Sequence, residues 1–162
     1  MKIIYVNSDL LEAPQKYIAH GVNCQGVMGS GLALAIRNKW PSVYDNYRKF
    51  YNEYQNRYSN TNFAFTFPEK LLGEVNISYQ DENRTIANCF TQLNYGRQKN
   101  IRYVSYDAVA KTFNYLNWLI REEVKEIALP KIGAGLGGGD WNVIKEIIES
   151  ECKDIQPYVY VM

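Results

Sequence analysis

Short apolar runs alternate along the chain with longer stretches in which apolar side chains recur every three or four residues. The short runs predict β-strands, and the longer stretches predict amphipathic helices. The predicted strands cover residues 2–6, 17–22, 71–79, 85–91, 126–130 and 158–161. The predicted helices cover residues 32–39, 43–58 and two later segments that begin near Ser105 and Asp140. This alternation predicts one α/β domain with a mostly parallel or mixed sheet.

Local signals define several element boundaries. Proline disfavours helical backbone at the residue before it, so Trp40–Pro41 is expected to end the first helix. Ser105 and Asp140 can each cap the helix that follows through a side-chain oxygen. The polar residues 80–83 predict a turn between two strands, and residues 92–102 lack periodicity and predict a loop.

Length and charge narrow the range of functions. The 162 residues fit a single domain, and 18 Lys+Arg against 17 Asp+Glu give a formal charge of +1. This near-neutrality argues against a protein that binds nucleic acid through a strong basic excess. No apolar stretch approaches the ~20 residues of a membrane span, and the N-terminal run turns polar too early for a signal peptide. Three cysteines without paired spacing predict neither a disulfide framework nor a zinc site, and they favour the reducing cytoplasm.

The glycines fall mainly into two short segments. Five of the eleven lie between Gly133 and Gly139, and four more lie between Gly21 and Gly31. Each segment follows a predicted strand and precedes a predicted helix, whose free amides and positive dipole end would point back at the loop. Two such loops at the carboxyl ends of neighbouring strands would bind one phosphate or diphosphate. The alternative is that these glycines only make tight turns.

Other nucleotide and metal sites do not fit the chain. Gly133, Gly135 and Gly138 satisfy G-x-G-x-x-G, but a dinucleotide fold needs this motif near its first strand, with an acidic residue about 20 positions later. Neither loop has the Lys-Ser/Thr ending of a P-loop. No cluster of His, Cys and carboxylates predicts a metal site, and no cofactor is expected.

Three segments resemble the macro domain family. Residues 20–33, HGVNCQGVMGSGLA, are similar to its first ligand loop, and residues 129–141, LPKIGAGLGGGDW, are similar to its second. Residues 86–92, IANCFTQ, fit the strand between them. The resemblance covers essentially the whole chain. It is nearest to the branch that holds the yeast-type ADP-ribose 1''-phosphate phosphatases with related phage and bacterial proteins.

The resemblance implies a three-layer α/β/α macro domain over residues 1–162, with a central mixed sheet and an ADP-ribose cleft. Asp9 would accept the adenine amino hydrogen, or else would only cap the turn after the first strand. Asn23 would contact the distal ribose, or else would only form hydrogen bonds within its loop. The implied lining residues are Gly29, Ser30, Gly31 and Leu32 on one side and Ile132, Gly133, Ala134, Gly135, Leu136, Gly137 and Gly138 on the other.

The candidate catalytic residues are His20, Asn23 and Asp140. The phosphatase branch has a histidine at the position of His20, and a neutral imidazole near a phosphate can orient or deprotonate a water. The alternative for His20 is a structural role, and for Asp140 it is the helix cap. Tyr106 would stack on the ligand or donate a hydrogen bond to it, and the alternative is ordinary packing. Cys24 is expected to be a buried apolar residue.

Two basic regions have competing interpretations. Arg97, Lys99 and Arg102 either meet an additional phosphate such as the 1''-phosphate or are only solvated. Residues 46–51 mix basic and aromatic side chains as single-strand binders do, but their helical spacing favours an amphipathic helix.

The leading hypothesis is a metal-independent macro domain that binds ADP-ribose and hydrolyses ADP-ribose 1''-phosphate. The neighbouring branch of protein- and DNA-directed hydrolases uses a lysine after the middle strand, where this chain reads Gln92–Arg97, and one type carries an aspartate at the position of Gly137. The alternatives are a non-catalytic reader and a hydrolase that removes ADP-ribose from protein or nucleic acid. The expected partners are ADP-ribose, its 1''-phosphate and ADP-ribosylated macromolecules, with no membrane and no sequence-specific nucleic acid.

Overall fold

The computed structural model describes residues 1–162 and contains one six-stranded sheet with helices on both faces. The strands are β1 Ile4–Val6, β2 Tyr17–Asn23, β3 Val75–Asp81, β4 Arg84–Gln92, β5 Glu126–Leu129 and β6 Gln156–Tyr160. The helices are α1 Gly31–Lys39, α2 Pro41–Tyr58, α3 Pro68–Leu71, α4 Tyr106–Ile120 and α5 Trp141–Glu151. A 3-10 turn, Leu10–Glu12, follows β1. None of the helices combines the length and apolarity that a membrane span requires.

The strand order places the carboxyl ends of five strands at one edge of the sheet. The order is β1-β6-β5-β2-β4-β3, and every neighbouring pair is parallel except β3 with β4. The predicted mixed sheet is therefore confirmed. Both glycine loops leave the sheet at this common edge, because one follows β2 and the other follows β5.

Two separate apolar cores cover the two faces of the sheet. One contains the buried side chains of α4 and α5, among them Phe113 and Ile144. The other contains those of α1, α2 and α3, among them Ile36, Tyr47 and Leu71. This arrangement confirms the three-layer α/β/α fold. It also confirms that residues 46–51 belong to an amphipathic helix, since Tyr47 is fully buried.

The predicted boundaries differ from the structure mainly before β3. The strand expected over residues 71–79 begins only at Val75, because Leu71 ends α3 and Gly73 turns the chain with a φ of 91°. The four-residue helix α3 is too short to show a helical period in the sequence. Both predicted caps are confirmed: the Ser105 side chain accepts a hydrogen bond from the Ala108 amide, and the Asp140 side chain accepts one from the Asn142 amide.

Candidate functional site

A cleft of about 730 Å³ opens at the edge of the sheet where β2, β4 and β5 end. Its volume lies within the range of about 300–1,000 Å³ that is typical of small-molecule sites. The lining comes from the first glycine loop with the start of α1, from the end of β4 with the loop after it, and from the second glycine loop. The prediction that both glycine loops border one cleft is therefore confirmed.

The charge of the lining differs from that of the nearly neutral chain. No Asp, Glu or His lines the cleft, whereas Arg97 and Lys131 do. Neither cation forms an ion pair within the chain. The local charge is therefore positive although the net charge of the whole chain is only +1. Such a cleft favours an anionic ligand.

The N-terminus of α1 presents unpaired backbone donors at the cleft. The amides of Gly31, Leu32 and Ala33 have no hydrogen-bond partner, and the Ser30 side chain does not cap the helix. All four residues line the cleft. Free amides at the positive end of a helix dipole are a general anion-binding arrangement.

The second glycine loop contributes a second group of free donors. The amides of Gly135, Leu136 and Gly137 have no partner, and these residues also line the cleft. The Gly137 carbonyl accepts hydrogen bonds from the Tyr103 amide at 2.7 Å and the Val104 amide at 3.0 Å. The loop is therefore fixed to residues 103–104 while its amides remain available for a ligand.

No residue of α5 lines the cleft, so the structure brings the N-terminus of α1 to the ligand space but not the second helix end that was expected. The Asp140 side chain occupies the first turn of α5, and Asp140 does not line the cleft. Ala134 and Gly138 also lie outside the lining.

Packing explains much of the glycine content of the second loop. A Cβ on Gly139 would lie 2.6 Å from Val104 Cγ1, and one on Gly137 would lie 2.6 Å from the Gly133 carbonyl oxygen. Real Cβ atoms do not approach other atoms so closely, so these positions require glycine for the fold itself. By contrast, a Cβ on Gly135 would meet no atom within 4 Å. Gly133 and Gly138 have φ values of 77° and 71°, so the interpretation that these glycines make tight turns is correct for part of the loop.

Asn23 lies in the cleft lining, and its side chain also holds the first loop in shape. Its Oδ1 accepts hydrogen bonds from the Gln25 amide and the Tyr47 hydroxyl, both at 2.9 Å, and its Nδ2 donates to the Val27 carbonyl at 3.0 Å. One amide hydrogen of Asn23 remains for a ligand. Tyr47 thus supports the site from α2, although its helical spacing in the sequence indicates only a core position.

His20 belongs to β2, is buried and does not line the cleft. Its Nε2 lies 2.5 Å from Asn88 Oδ1, and its Nδ1 has no partner. Burial lowers the pKa of the imidazole to about 4, although the hydrogen bond with Asn88 opposes this shift. His20 is therefore neutral near pH 7 and is separated from the space in which a ligand would bind.

Two other predicted ligand contacts also lie outside the lining. The Asp9 side chain accepts a hydrogen bond from the Leu11 amide at 3.0 Å and caps the 3-10 turn after β1. The Tyr106 hydroxyl accepts one from the Asp140 amide at 3.0 Å. Both residues thus have structural partners of their own.

The cysteine at the first loop is inert. Cys24 is fully buried, and burial raises the pKa of its thiol to about 12. The prediction that it is a buried apolar residue is confirmed.

Thr91 and Lys131 were not identified from the sequence as site residues, although both line the cleft. Each lies at or just beyond the carboxyl end of a strand, in β4 and after β5 respectively. Ligands of open α/β sheets bind at this end of the strands, so position in the predicted strand order is the signal that identifies them.

Comparisons with known proteins agree with this geometry. The family model described as Macro domain matches residues 19–148. The chain is 26% identical over 165 residues to a DNA ADP-ribosyl glycohydrolase of Mycobacterium tuberculosis, covering 98% of this chain but only 42% of that protein. It is 25% identical over 182 residues to an ADP-ribose 1''-phosphate phosphatase of Meyerozyma guilliermondii, covering 98% of both chains. The solved macrodomain of Thermus aquaticus DarG superposes with a TM-score of 0.74 at 26% identity, covering 99% of this chain and 98% of that one.

Proposed function

Because the chain belongs to the macro domain family, we propose that it binds ADP-ribose in the cleft and hydrolyses ADP-ribose 1''-phosphate to ADP-ribose and inorganic phosphate. One observation carries this proposal: two groups of unpaired backbone amides, at Gly31–Ala33 and at Gly135–Gly137, line a single cleft that contains no carboxylate. Such donors suit a diphosphate, whose oxygens accept hydrogen bonds from both sides.

The adenine role that the resemblance implies for Asp9 gives the proposed ligand a direction along the row of strands. Asp9 follows β1 at one end of the row of strands, and the loop after β4 lies four strands further along. At about 4.8 Å between neighbouring strands, this row spans about 19 Å, which suits an extended ligand. With the adenine towards Asp9, the diphosphate lies between the two groups of amides and the distal ribose lies towards Asn23 and the loop after β4.

The proposed chemistry relies on positioning and on backbone donors. A water attacks the terminal phosphorus, the bond to the ribose oxygen breaks, and a proton passes to the leaving oxygen. Since the lining contains no imidazole or carboxylate, the amides and the nearby cations would stabilise the developing negative charge. Of the three candidate catalytic residues, Asn23 lies in the lining. We assign His20 and Asp140 positioning and structural roles.

The phosphatase relative supports this choice of substrate over an ADP-ribosylated macromolecule. It matches over 98% of its own length, whereas the chain spans about two-fifths of the DNA ADP-ribosyl glycohydrolases that it matches, 42% and 38% in two examples. Residues 92–97, several of which line the cleft, contain no lysine, although the neighbouring branch uses a lysine in this loop. ADP-ribosylated macromolecules are therefore secondary partners in this proposal. A cytoplasmic location fits the three free, buried cysteines.

A non-catalytic reader of ADP-ribose is the second candidate function. The observation that favours it is the same lining, which holds no imidazole and no carboxylate to act as a general base. A reader and a slow phosphatase would bind the same ligand and differ only in turnover.

Phosphate release from ADP-ribose 1''-phosphate separates these candidates. We expect the wild-type protein to release phosphate and to leave intact ADP-ribose. The matched control is Gly135→Val, whose Cβ would meet no protein atom within 4 Å. The added side chain should obstruct the ligand, so this variant reveals any contaminating phosphatase. Equal release by both proteins would reject the enzyme assignment. Binding without release would favour the reader, and release of ADP-ribose from modified DNA alone would favour the glycohydrolase.

A further inference from the structure

We propose that Arg97 forms the subsite for the terminal phosphate and thereby selects ADP-ribose 1''-phosphate over ADP-ribose. This inference rests on the proposed function, because it assumes that the cleft holds the ADP-ribose portion of the ligand. It adds a specificity-determining residue at the end of the cleft where the two ligands differ.

The position of Arg97 follows from the topology. The loop that carries it leaves β4, whereas Asp9 follows β1 at the opposite end of the row of parallel strands. A ligand with its adenine towards Asp9 therefore has its distal ribose near the loop after β4. Gln92, Tyr95 and Arg97 of this loop all line the cleft.

The guanidinium of Arg97 is free to bind an anion. Arg97 forms no ion pair and no hydrogen bond within the chain, and no carboxylate shares its cleft. Its side chain is exposed at the mouth of the cleft. A guanidinium matches the geometry of a phosphate through two parallel hydrogen bonds, whereas ADP-ribose has only a hydroxyl at this end.

The structure separates Arg97 from the other two cations of its loop. The Arg102 guanidinium stacks on the Tyr106 ring at 4.1 Å, and Arg102 does not line the cleft. Lys99 is exposed and also lies outside the lining. Of the three basic residues that the sequence offered for an additional phosphate, Arg97 alone borders the ligand space.

Lys131 provides an internal comparison. It is the second cation of the lining, but it follows β5, two strands closer to Asp9 than β4 is. At that place it lies nearer the diphosphate, which both ligands share. Lys131 should therefore contribute to the binding of both ligands, whereas Arg97 should contribute only to the binding of ADP-ribose 1''-phosphate.

The test is calorimetric titration with two ligands: ADP-ribose and its 1''-phosphonate analogue, which cannot be hydrolysed. For Arg97→Gln we expect affinity for the phosphonate to fall about tenfold or more, while affinity for ADP-ribose stays within about twofold. Arg97→Lys should recover part of the loss. Lys131→Gln should weaken both ligands by similar factors, and Lys99→Gln should change neither.

The outcomes distinguish this inference from the proposed function. If the wild type binds neither ligand, the proposed function fails. If the wild type binds both ligands and Arg97→Gln weakens both equally or weakens neither, the terminal subsite is not at Arg97 and the inference is overturned.

Discussion

Gly31 and Leu136 face each other across the cleft, so that a Cβ built on Gly31 would lie 3.9 Å from Leu136 Cδ1. Gly31 begins α1 and Leu136 belongs to the second glycine loop. The two groups of unpaired amides therefore lie on opposite sides of a narrow passage. Leu136 is 50% exposed, so its side chain adds little to the apolar core and instead borders the ligand space.

Leu136→Ala should weaken ligand binding without weakening the fold. Removing the side chain widens the passage and takes away apolar contact with a bound ligand. We expect ADP-ribose to dissociate about five- to tenfold faster, while the free energy of unfolding changes by less than about 0.5 kcal/mol. Stopped-flow dissociation and urea unfolding measure the two quantities. An unchanged dissociation rate would show that Leu136 does not contact the ligand.

Thr91 carries a buried hydroxyl without a hydrogen-bond partner, although the residue lines the cleft. Thr91→Val keeps the shape of the side chain and removes this unsatisfied group. We expect the free energy of unfolding to rise by about 1 kcal/mol.

Thr112→Val is the matched control for Thr91→Val. Its hydroxyl is also buried, but it donates to the Val109 carbonyl at 2.9 Å. This substitution should lower the free energy of unfolding by about 1 kcal/mol. Urea unfolding of the two variants should thus give opposite signs, and a similar loss in both would mean that the Thr91 hydroxyl has a partner in solution.

His20 should make stability depend on pH between about 4 and 6.5. Its pKa is about 4 when folded, below the value of 6.5 for a free side chain, because burial disfavours the charged form. The unfolded chain therefore binds more protons in this window. The free energy of unfolding should fall as the pH decreases, by up to about 1.4 kcal/mol per pH unit.

His20→Gln keeps a side-chain donor for Asn88 and removes the titration. Chemical unfolding at several pH values should show a shallower dependence in this variant than in the wild type. If both proteins lose stability equally between pH 6.5 and 4, His20 is not the responsible group. A phosphate-release rate that titrates with a pKa near 6.5 and loses this titration in the variant would instead make His20 catalytic.

Asp140→Ala should reduce stability and leave ligand binding intact. The carboxylate caps α5 and does not line the cleft, and loss of such a cap costs about 1 kcal/mol. Asp140→Ser retains a capping oxygen and should restore most of the stability. Thermal unfolding and ADP-ribose titration test these expectations. A fall in phosphate release of tenfold or more in the well-folded Asp140→Ser variant would restore Asp140 as a catalytic candidate.

The fold was predictable because its signals are local. Trp40–Pro41 ends α1, and Ser105 and Asp140 cap α4 and α5, whatever the rest of the chain does. The missed boundary before β3 has a local cause too: a four-residue helix contains a single turn, so no apolar period can reveal it.

The site was predictable only in part, because its details depend on residues distant in sequence. Residue 139 must be glycine because a Cβ there would clash with Val104, and the Tyr47 hydroxyl orients the Asn23 side chain. No spacing in the sequence predicts that the residues of either pair are in contact. Arg97 and Arg102 are residues of the same type in the same predicted loop, so the sequence does not distinguish them. They differ because Tyr106 lies beneath Arg102 and the cleft lies beside Arg97.

Titration of ADP-ribose into the wild type and Gly135→Val tests the central claim most directly. A Cβ at Gly135 meets nothing within 4 Å in the protein, and Gly135 lines the cleft between the two loops. We predict saturable binding of one ADP-ribose per wild-type chain and at least tenfold weaker binding by the variant at equal thermal stability. Absence of binding to the wild type, or equal affinity in both proteins, would contradict the account.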